Sequence, residues 1–180
     1  MNDREALEAV RRASVGFSRT EQAIPPLTDL VGDAKLVLIG EATHGTDEFY
    51  RFRAALTAAL IRDKHFNVIA VEADWPDAYR VNRWVRDAAD ERDGAAGALD
   101  DFVRFPRWMW RNTAVVEFID WLHRHNSHRL PVDRVGFYGL DLYSLHASMD
   151  AVLVYLAKVD PPAAARARRQ IGRASCRERV

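Results

Sequence analysis

This sequence of 180 residues contains one cysteine, three lysines and no long apolar run, and these shortages narrow what the chain can be. The lone Cys176 excludes an internal disulfide and a cysteine cluster for a metal. No apolar segment approaches the roughly 20 residues that a membrane-spanning helix requires. The N-terminus has no apolar core of the kind found in signal peptides, because Asp3, Glu5 and Glu8 interrupt it. We therefore expect a soluble, cytoplasmic protein.

The chain also has no excess of positive or negative charge. The chain has 26 lysines plus arginines and 26 aspartates plus glutamates, so its formal net charge is zero. A balanced charge argues against a general surface for nucleic acid or for anionic membranes. We expect a small-molecule partner, no nucleic-acid partner and no membrane partner.

Several catalytic motifs are absent as well. The sequence has no Gly-x-Ser-x-Gly nucleophile elbow, no phosphate-binding P-loop and no glycine pattern for a dinucleotide. Ser144 lies near the end of an apolar run but lacks flanking glycines, and we interpret it as a helix N-cap. These absences argue against a serine nucleophile, a phosphate-binding loop and a dinucleotide cofactor.

What the chain does contain is an alternation of strand and helix patterns. Short apolar runs predict buried strands at Leu36–Ile39, Val68–Val71 and Val132–Tyr138. Apolar residues at helical spacing follow each run, and Pro25 with Pro26 is predicted to break the chain before the first strand. Strand–helix alternation of this kind is typical of an α/β fold with a mainly parallel sheet.

Acidic residues follow all three predicted strands. Glu41 and His44 follow the first, Glu72 and Asp74 the second, and Asp141 the third. The carboxyl ends of parallel strands meet at one edge of the sheet, where ligands bind in open α/β folds. We therefore predict that these five side chains surround one cleft.

Glu41 and His44 form the most informative pair, in the stretch Gly-Glu-Ala-Thr-His-Gly at 40–45. A histidine with a pKa near ~6.5 can take a proton from water at neutral pH. A carboxylate beside it can fix its tautomer and stabilise the imidazolium. The alternative is structural: Glu41 caps the next helix and His44 only fills a turn.

The segment 89–110 offers two interpretations. It begins with an acidic, glycine-containing loop and continues into a run of aromatic and basic residues, Phe102–Arg111. Such a run can form a flap over the sheet edge, with apolar walls and arginines for a bulky ligand. It can equally be an ordinary packed segment, because aromatic side chains bury a large area wherever they lie.

The same residues also offer ligands for a metal ion. Glu41, His44, Glu72 and Asp141 could ligate a divalent cation, although no His-Glu-x-x-His spacing is present. The second histidine group, His123, His125 and His128, lies among arginines at the end of a predicted helix. We assign that group to a solvated helix terminus.

Three ordered motifs resemble the erythromycin esterase family between about Leu36 and Leu145. They are Gly-Glu-Ala-Thr-His-Gly-Thr-Asp-Glu-Phe at 40–49, Val-Ile-Ala-Val-Glu-Ala-Asp-Trp-Pro at 68–76, and Gly-Phe-Tyr-Gly-Leu-Asp-Leu-Tyr-Ser at 136–144. The resemblance implies a three-layer α-β-α fold of which this chain holds the N-terminal half. It also implies an enzyme that hydrolyses an ester or a macrolide lactone, with a role in antibiotic resistance.

The same resemblance implies residue roles. His44 would be the general base that activates water, Glu41 its partner or a substrate contact, and Arg53 a group that orients the substrate or a carboxylate. Further pocket residues would be Glu72, Asp74 and Asp141. No metal or other cofactor is implied.

The domain boundaries follow from the composition of the C-terminal segment. We expect a partial catalytic domain at 1–162 and a basic tail at 163–180, of which 171–180 has the composition of an artefactual read-through. The chain alone is then expected to be inactive. Two other functions stay open: a metal-dependent hydrolase that uses the same carboxylates, and a small-molecule-binding domain without catalysis.

Overall fold

The computed structural model describes residues 2–87, 94–104 and 106–177. Residues 89–93 and 105 of the segment 89–110 lie outside the described residues, as does Ala88 before it. No described helix combines the length and the apolar character needed to cross a membrane. The regular elements, in chain order, are α1 Asp3–Ala13, α2 Thr20–Val31, α3 Asp47–Lys64, β1 Val68–Asp74, α4 Trp75–Val85, α5 Gly94–Ala98, α6 Thr113–Ser127, β2 Gly136–Asp141, α7 Leu145–Val159 and α8 Pro161–Arg177.

The sheet is parallel, which confirms the predicted α/β class, and it consists of β1 and β2 in the described part of the chain. The register pairs Val68 with Gly136 and ends with Asp74 opposite Asp141. A bulge after Val71 brings the backbones unusually close there. A Cβ on Gly139 would lie 2.4 Å from the carbonyl oxygen of Ala73, so only glycine fits.

Helix α4 packs on the sheet and α6 packs on α3 and α4, and their buried apolar residues form one core with Phe137 of β2. Asn126 is fully buried and fixes α6 to its neighbours: its Nδ2 donates to the carbonyls of Val85 and Val135, and its Oδ1 accepts from Val135 N–H. Buried polar groups are tolerated when they are paired in this way. The largest buried apolar side chains of the core include Val81, Val85, Leu99, Ile119 and Leu122.

The strand predicted at Leu36–Ile39 is wrong. This segment has no regular structure, and Leu36 and Leu38 are 75% and 85% exposed. A strand exists only where its backbone groups pair with a neighbour, and the segment forms no ladder with β1. Val37 and Ile39 instead border a cavity beside β1. The third predicted strand is also shorter than expected, because Pro131–Asp133 forms a 3₁₀ turn before Gly136.

Two further expectations need correction. Pro25 and Pro26 lie inside α2 rather than breaking it, and the helix buries Ala23 and Thr28 while packing on α3. The stabilisation gained from this tertiary packing offsets the loss of the backbone hydrogen bonds that proline cannot donate. The loop predicted from Asp90 to Gly97 contains the short helix α5 from Gly94 onward.

The C-terminal segment is largely helical. α7 ends before Pro161, as predicted, and α8 begins there and packs against α7. Residues 178–180 of the predicted tail lie outside the described residues. The domain boundaries stay a prediction.

Candidate active site

Glu41 and His44 lie in the irregular segment that leads into α3. His44 Nδ1 is 3.2 Å from Glu41 Oε1. The approach is not aligned as a hydrogen bond, and Nδ1 is buried with no other partner in the described residues. Glu41 is therefore the group beside that nitrogen, as the sequence pattern suggested. The imidazole itself is about half-exposed, with a side-chain exposure of 43%.

Arg53 reaches the other oxygen of the same carboxylate. Its guanidinium lies 2.7 Å from Glu41 Oε2, and both side chains are 25% exposed. Burial alone raises the pKa of Glu41, but the hydrogen bond and charge of Arg53, together with His44, outweigh it and lower the pKa below its ordinary value. Glu41 is thus held ionised between two partners from different parts of the chain.

Two adjoining recesses flank this group. The first, which we call the apolar cavity, has a volume of about 450 Å³ and is bordered by Val37, Ile39, Tyr50, Ala54 and Phe118 among other apolar residues, with Glu41, Arg53 and Glu72 at its polar part. The second, which we call the polar cleft, has a volume of about 270 Å³ and is lined by His44 and the strand-end carboxylates. Glu72 and Trp110 border both recesses.

The structure brings the predicted strand-end residues together at the polar cleft. His44, Glu72, Asp74 and Asp141 all line it, while Glu41 and Arg53 border the neighbouring cavity. Asp74 is 11% exposed, accepts a 2.9 Å hydrogen bond from Ser144 N–H and lies 4.0 Å from Arg104. Ser144 is at the N-cap position of α7, as predicted, but its side chain makes no capping hydrogen bond.

The aromatic segment contributes both to the core and to the cleft. Phe102 is buried and stacks on Trp110, as the packed alternative expected. Arg104 and Arg107 line the polar cleft, and the Arg104 guanidinium lies 4.1 Å from the centroid of the Tyr143 ring. The segment is therefore a packed wall whose basic residues face the site.

Sequence reasoning missed Asp77 in the polar cleft. Burial, together with the charges of Asp74 and Asp101, raises its pKa to about 6 from 3.8. The sequence could have indicated Asp77 by its position three residues after Asp74. A residue in the first turn of a helix lies close to a carboxylate at the end of the preceding strand. Perturbed carboxyls of this kind concentrate at functional sites.

In the second histidine group, His123 and His125 are packed rather than solvated, which corrects the expectation for them, whereas His128 is exposed at the end of α6, as expected. His123 stacks on Trp84 with ring centroids 4.2 Å apart, and His125 stacks on Trp121 at 5.2 Å. Burial, with the charges of Arg129 and Arg62, lowers the pKa of His125. Both histidines lie on α6, where His123 faces Trp84 of α4 and His125 faces Trp121 one turn earlier on the same helix. Across the described ranges, no three histidine, cysteine, aspartate or glutamate side chains are arranged to hold a metal ion.

Comparison with known proteins identifies the family. The family model for erythromycin esterase matches residues 61–178, about two thirds of the chain. The chain belongs to the erythromycin esterase family. The match contains Glu72, Asp74 and Asp141 and begins after Glu41, His44 and Arg53, so the site pairs the matched strand ends with a segment outside the matched range.

A curated relative supports the same assignment. The chain is 25% identical over 117 residues to an erythromycin esterase type II from Escherichia coli. The aligned region covers 65% of this chain and 26% of the relative, so the chain spans about a quarter of the relative's length. No solved structure matches the chain.

Proposed function

We propose that this protein contributes the catalytic base of a hydrolase that cleaves a carboxylic ester or lactone with water activated by His44. Family membership supports a hydrolase acting on macrolide esters. The observation that carries the finer proposal is the 3.2 Å contact between His44 Nδ1 and Glu41 Oε1, beside the 2.7 Å ion pair of Glu41 with Arg53.

The chemistry follows from this arrangement. The charge of a carboxylate 3.2 Å from Nδ1 favours the neutral tautomer with its proton on Nδ1, which leaves Nε2 as the basic nitrogen. Nε2 takes a proton from water while the water oxygen attacks the ester carbonyl carbon. The tetrahedral intermediate then collapses, the carbon–oxygen bond to the leaving group breaks, and the imidazolium returns its proton to the leaving alkoxide. The products are a carboxylic acid and an alcohol, or one hydroxy acid from a lactone.

Glu41 would stabilise the imidazolium formed in the first step. Arg53 keeps this carboxylate ionised, because it lowers the pKa of Glu41. A carboxylate that is already charged and already oriented needs no rearrangement when the positive charge develops on the ring. His44, Glu41 and Arg53 therefore act together in the proposed mechanism.

The shape and polarity of the two recesses, together with the similarity to an erythromycin esterase, favour a macrolide-like substrate. A mostly apolar cavity of about 450 Å³ next to a cleft with carboxylates and arginines suits a large, mainly apolar ester with polar substituents. A macrolide lactone such as erythromycin has this character, and its hydrolysis would confer resistance to the antibiotic.

The test is a direct assay of lactone opening. Purified protein, expressed as these 180 residues and also within the full reading frame that encodes them, is incubated with erythromycin and analysed by mass spectrometry for a product heavier by one water. We expect this product from the protein expressed from its full reading frame, in the presence of a chelator as in its absence. Loss of product with the chelator would favour a metal-dependent hydrolase, and binding without product would favour a non-catalytic domain.

A further inference from the structure

Tyr50 connects the hydrophobic core to the candidate active site. Its side chain belongs to the core cluster and is 8% exposed, so the surrounding packing fixes the ring. Arg53 is three residues farther along α3 and therefore lies on the same helix face. The guanidinium carbon of Arg53 is 4.8 Å from the centroid of the Tyr50 ring, within the range of a cation–π contact.

This contact restricts a side chain that would otherwise be flexible. An arginine side chain loses conformational entropy when it is held in one position. Because core packing already fixes the Tyr50 ring, only Arg53 loses entropy when the contact forms. From this platform Arg53 reaches Glu41 at 2.7 Å, and Glu41 lies 3.2 Å from His44. The series Tyr50, Arg53, Glu41, His44 thus extends from a rigid helix into a segment that has no helix or strand of its own.

We propose that Tyr50 is a positioning residue, whose ring holds the Arg53 guanidinium so that Arg53 fixes Glu41 beside His44. The chemical purpose of this arrangement rests on the proposed function, but the contact itself can be tested in a protein that catalyses nothing. A failure of the hydrolase proposal and a failure of the positioning proposal are therefore distinguishable.

The ring, and not the hydroxyl, carries the effect. The Tyr50 hydroxyl is buried and has no hydrogen-bond partner in the described part of the chain. Tyr50→Phe keeps the aromatic face under the Arg53 guanidinium and removes only the hydroxyl, whose oxygen also attracts that guanidinium, so this variant separates the ring from the hydroxyl. Tyr50→Leu removes the aromatic face and keeps an apolar side chain in the core.

The readout is the titration of Glu41, followed by the ¹³C shift of its carboxyl carbon and assigned with Glu41→Gln. The charged groups near this carboxylate are Arg53 from α3, His44 from its own turn and Glu72 from β1, which borders the same cavity. In the wild type, Arg53 keeps the pKa of Glu41 low. Tyr50→Leu is expected to move the midpoint upward, toward the ordinary value, whereas Tyr50→Phe retains the low midpoint.

Trp84→Leu is the matched control for a general loss of packing. Trp84 is a buried aromatic residue at 6% exposure, and it stacks on His123 rather than on an active-site group. This variant is expected to lower the melting temperature and to leave the Glu41 midpoint unchanged. An equal shift in Trp84→Leu and Tyr50→Leu would overturn the proposal, because the shift would then report loosened packing.

A second measurement requires no variant. The ¹⁵N relaxation of the Arg53 Nε–H group in the wild type should match the backbone of α3, while Arg4, with a side-chain exposure of 89%, should be far more mobile. Mobility of Arg53 equal to that of Arg4 would overturn the proposal whether or not Tyr50→Leu folds. An unchanged Glu41 midpoint in folded Tyr50→Leu would also overturn it.

Discussion

Arg53 and Glu41 form a 2.7 Å ion pair that joins helix α3 to the irregular segment before it. Both side chains are three-quarters buried, so water screens their attraction less than it would on the open surface. The pair gives a segment without secondary structure a defined place beside the sheet end. We expect this pair to hold the segment that carries His44, and the first prediction tests how much the pair stabilises the fold.

Arg53→Ala should destabilise the folded protein at neutral pH by roughly 1 kcal/mol, the upper range for a partly exposed pair. Because Arg53 lowers the pKa of Glu41, the stabilisation is present above the unfolded pKa of 4.5 and is lost as the pH falls through the lower folded value. Urea unfolding measured from about pH 3 to about pH 7 checks this. The difference from the wild type should shrink at the acidic end.

Arg51→Ala is the control for that experiment. Arg51 is on the same helix, but its partners Asp47 and Glu117 are about half-exposed, and it borders neither recess. It should cost less stability than Arg53→Ala and leave the pKa of Glu41 in place. Equal effects of the two substitutions on the Glu41 titration would show that Arg53 has no special relation to the site.

Asp77→Asn should stabilise the protein above about pH 6 and not at acidic pH. The pKa of Asp77 is raised to about 6 from 3.8, so the folded state binds the proton more tightly than the unfolded chain. That contribution to stability is fully present below the unfolded pKa and is lost as the pH rises through about 6. After allowance for solvent screening, a gain of about 1 kcal/mol is expected at high pH.

Denaturant unfolding of Asp77→Asn at acidic and at alkaline pH decides this prediction. Asp63→Asn is the matched control, because Asp63 is exposed on α3 and lies outside the polar cleft. The control should show no comparable change with pH. A pH-independent effect of Asp77→Asn would mean that its carboxyl titrates as in the unfolded chain.

Gly139→Ala should destabilise the protein by about 2–4 kcal/mol, at the upper end for a single substitution. The added Cβ would lie 2.4 Å from the Ala73 carbonyl oxygen and 2.7 Å from that of Asp74, and both atoms are backbone of β1. The strand ends that carry Asp74 and Asp141 would have to separate. Gly16→Ala is the control, since nothing lies within 4 Å of its added Cβ. A melting temperature for Gly139→Ala equal to that of Gly16→Ala would contradict the close approach.

The sequence predicted the parts of this fold that depend on local pattern. The run at Val68–Val71 is a strand, the run predicted at Val132–Tyr138 is a strand from Gly136 onward, and the apolar spacing that follows each run belongs to a helix. The run at Leu36–Ile39 has the same composition and is not a strand, because pairing depends on a neighbour that composition cannot reveal. Pro25 and Pro26 likewise lie within α2, whose packing on α3 is a tertiary effect.

The candidate site was predictable to a similar extent. Strand-end position correctly selected Glu72, Asp74 and Asp141, whereas His44 lines the same cleft although the run before it is not a strand. The raised pKa of Asp77 was not predictable, because it arises from burial and from Asp101, a residue 24 positions away in the sequence. The role of the Tyr50 ring also depends on the packed core, which fixes the ring under Arg53.

The most direct test of the proposed function is the hydrolysis rate of His44→Asn in the full reading frame that encodes this chain. Asparagine keeps a polar side chain of similar size but cannot take a proton from water at neutral pH. The account predicts a folded protein whose rate of erythromycin opening falls by ~10²–10⁴, the usual cost of losing a general base. A folded variant that retains more than half of the wild-type rate would contradict it and remove His44 from the mechanism.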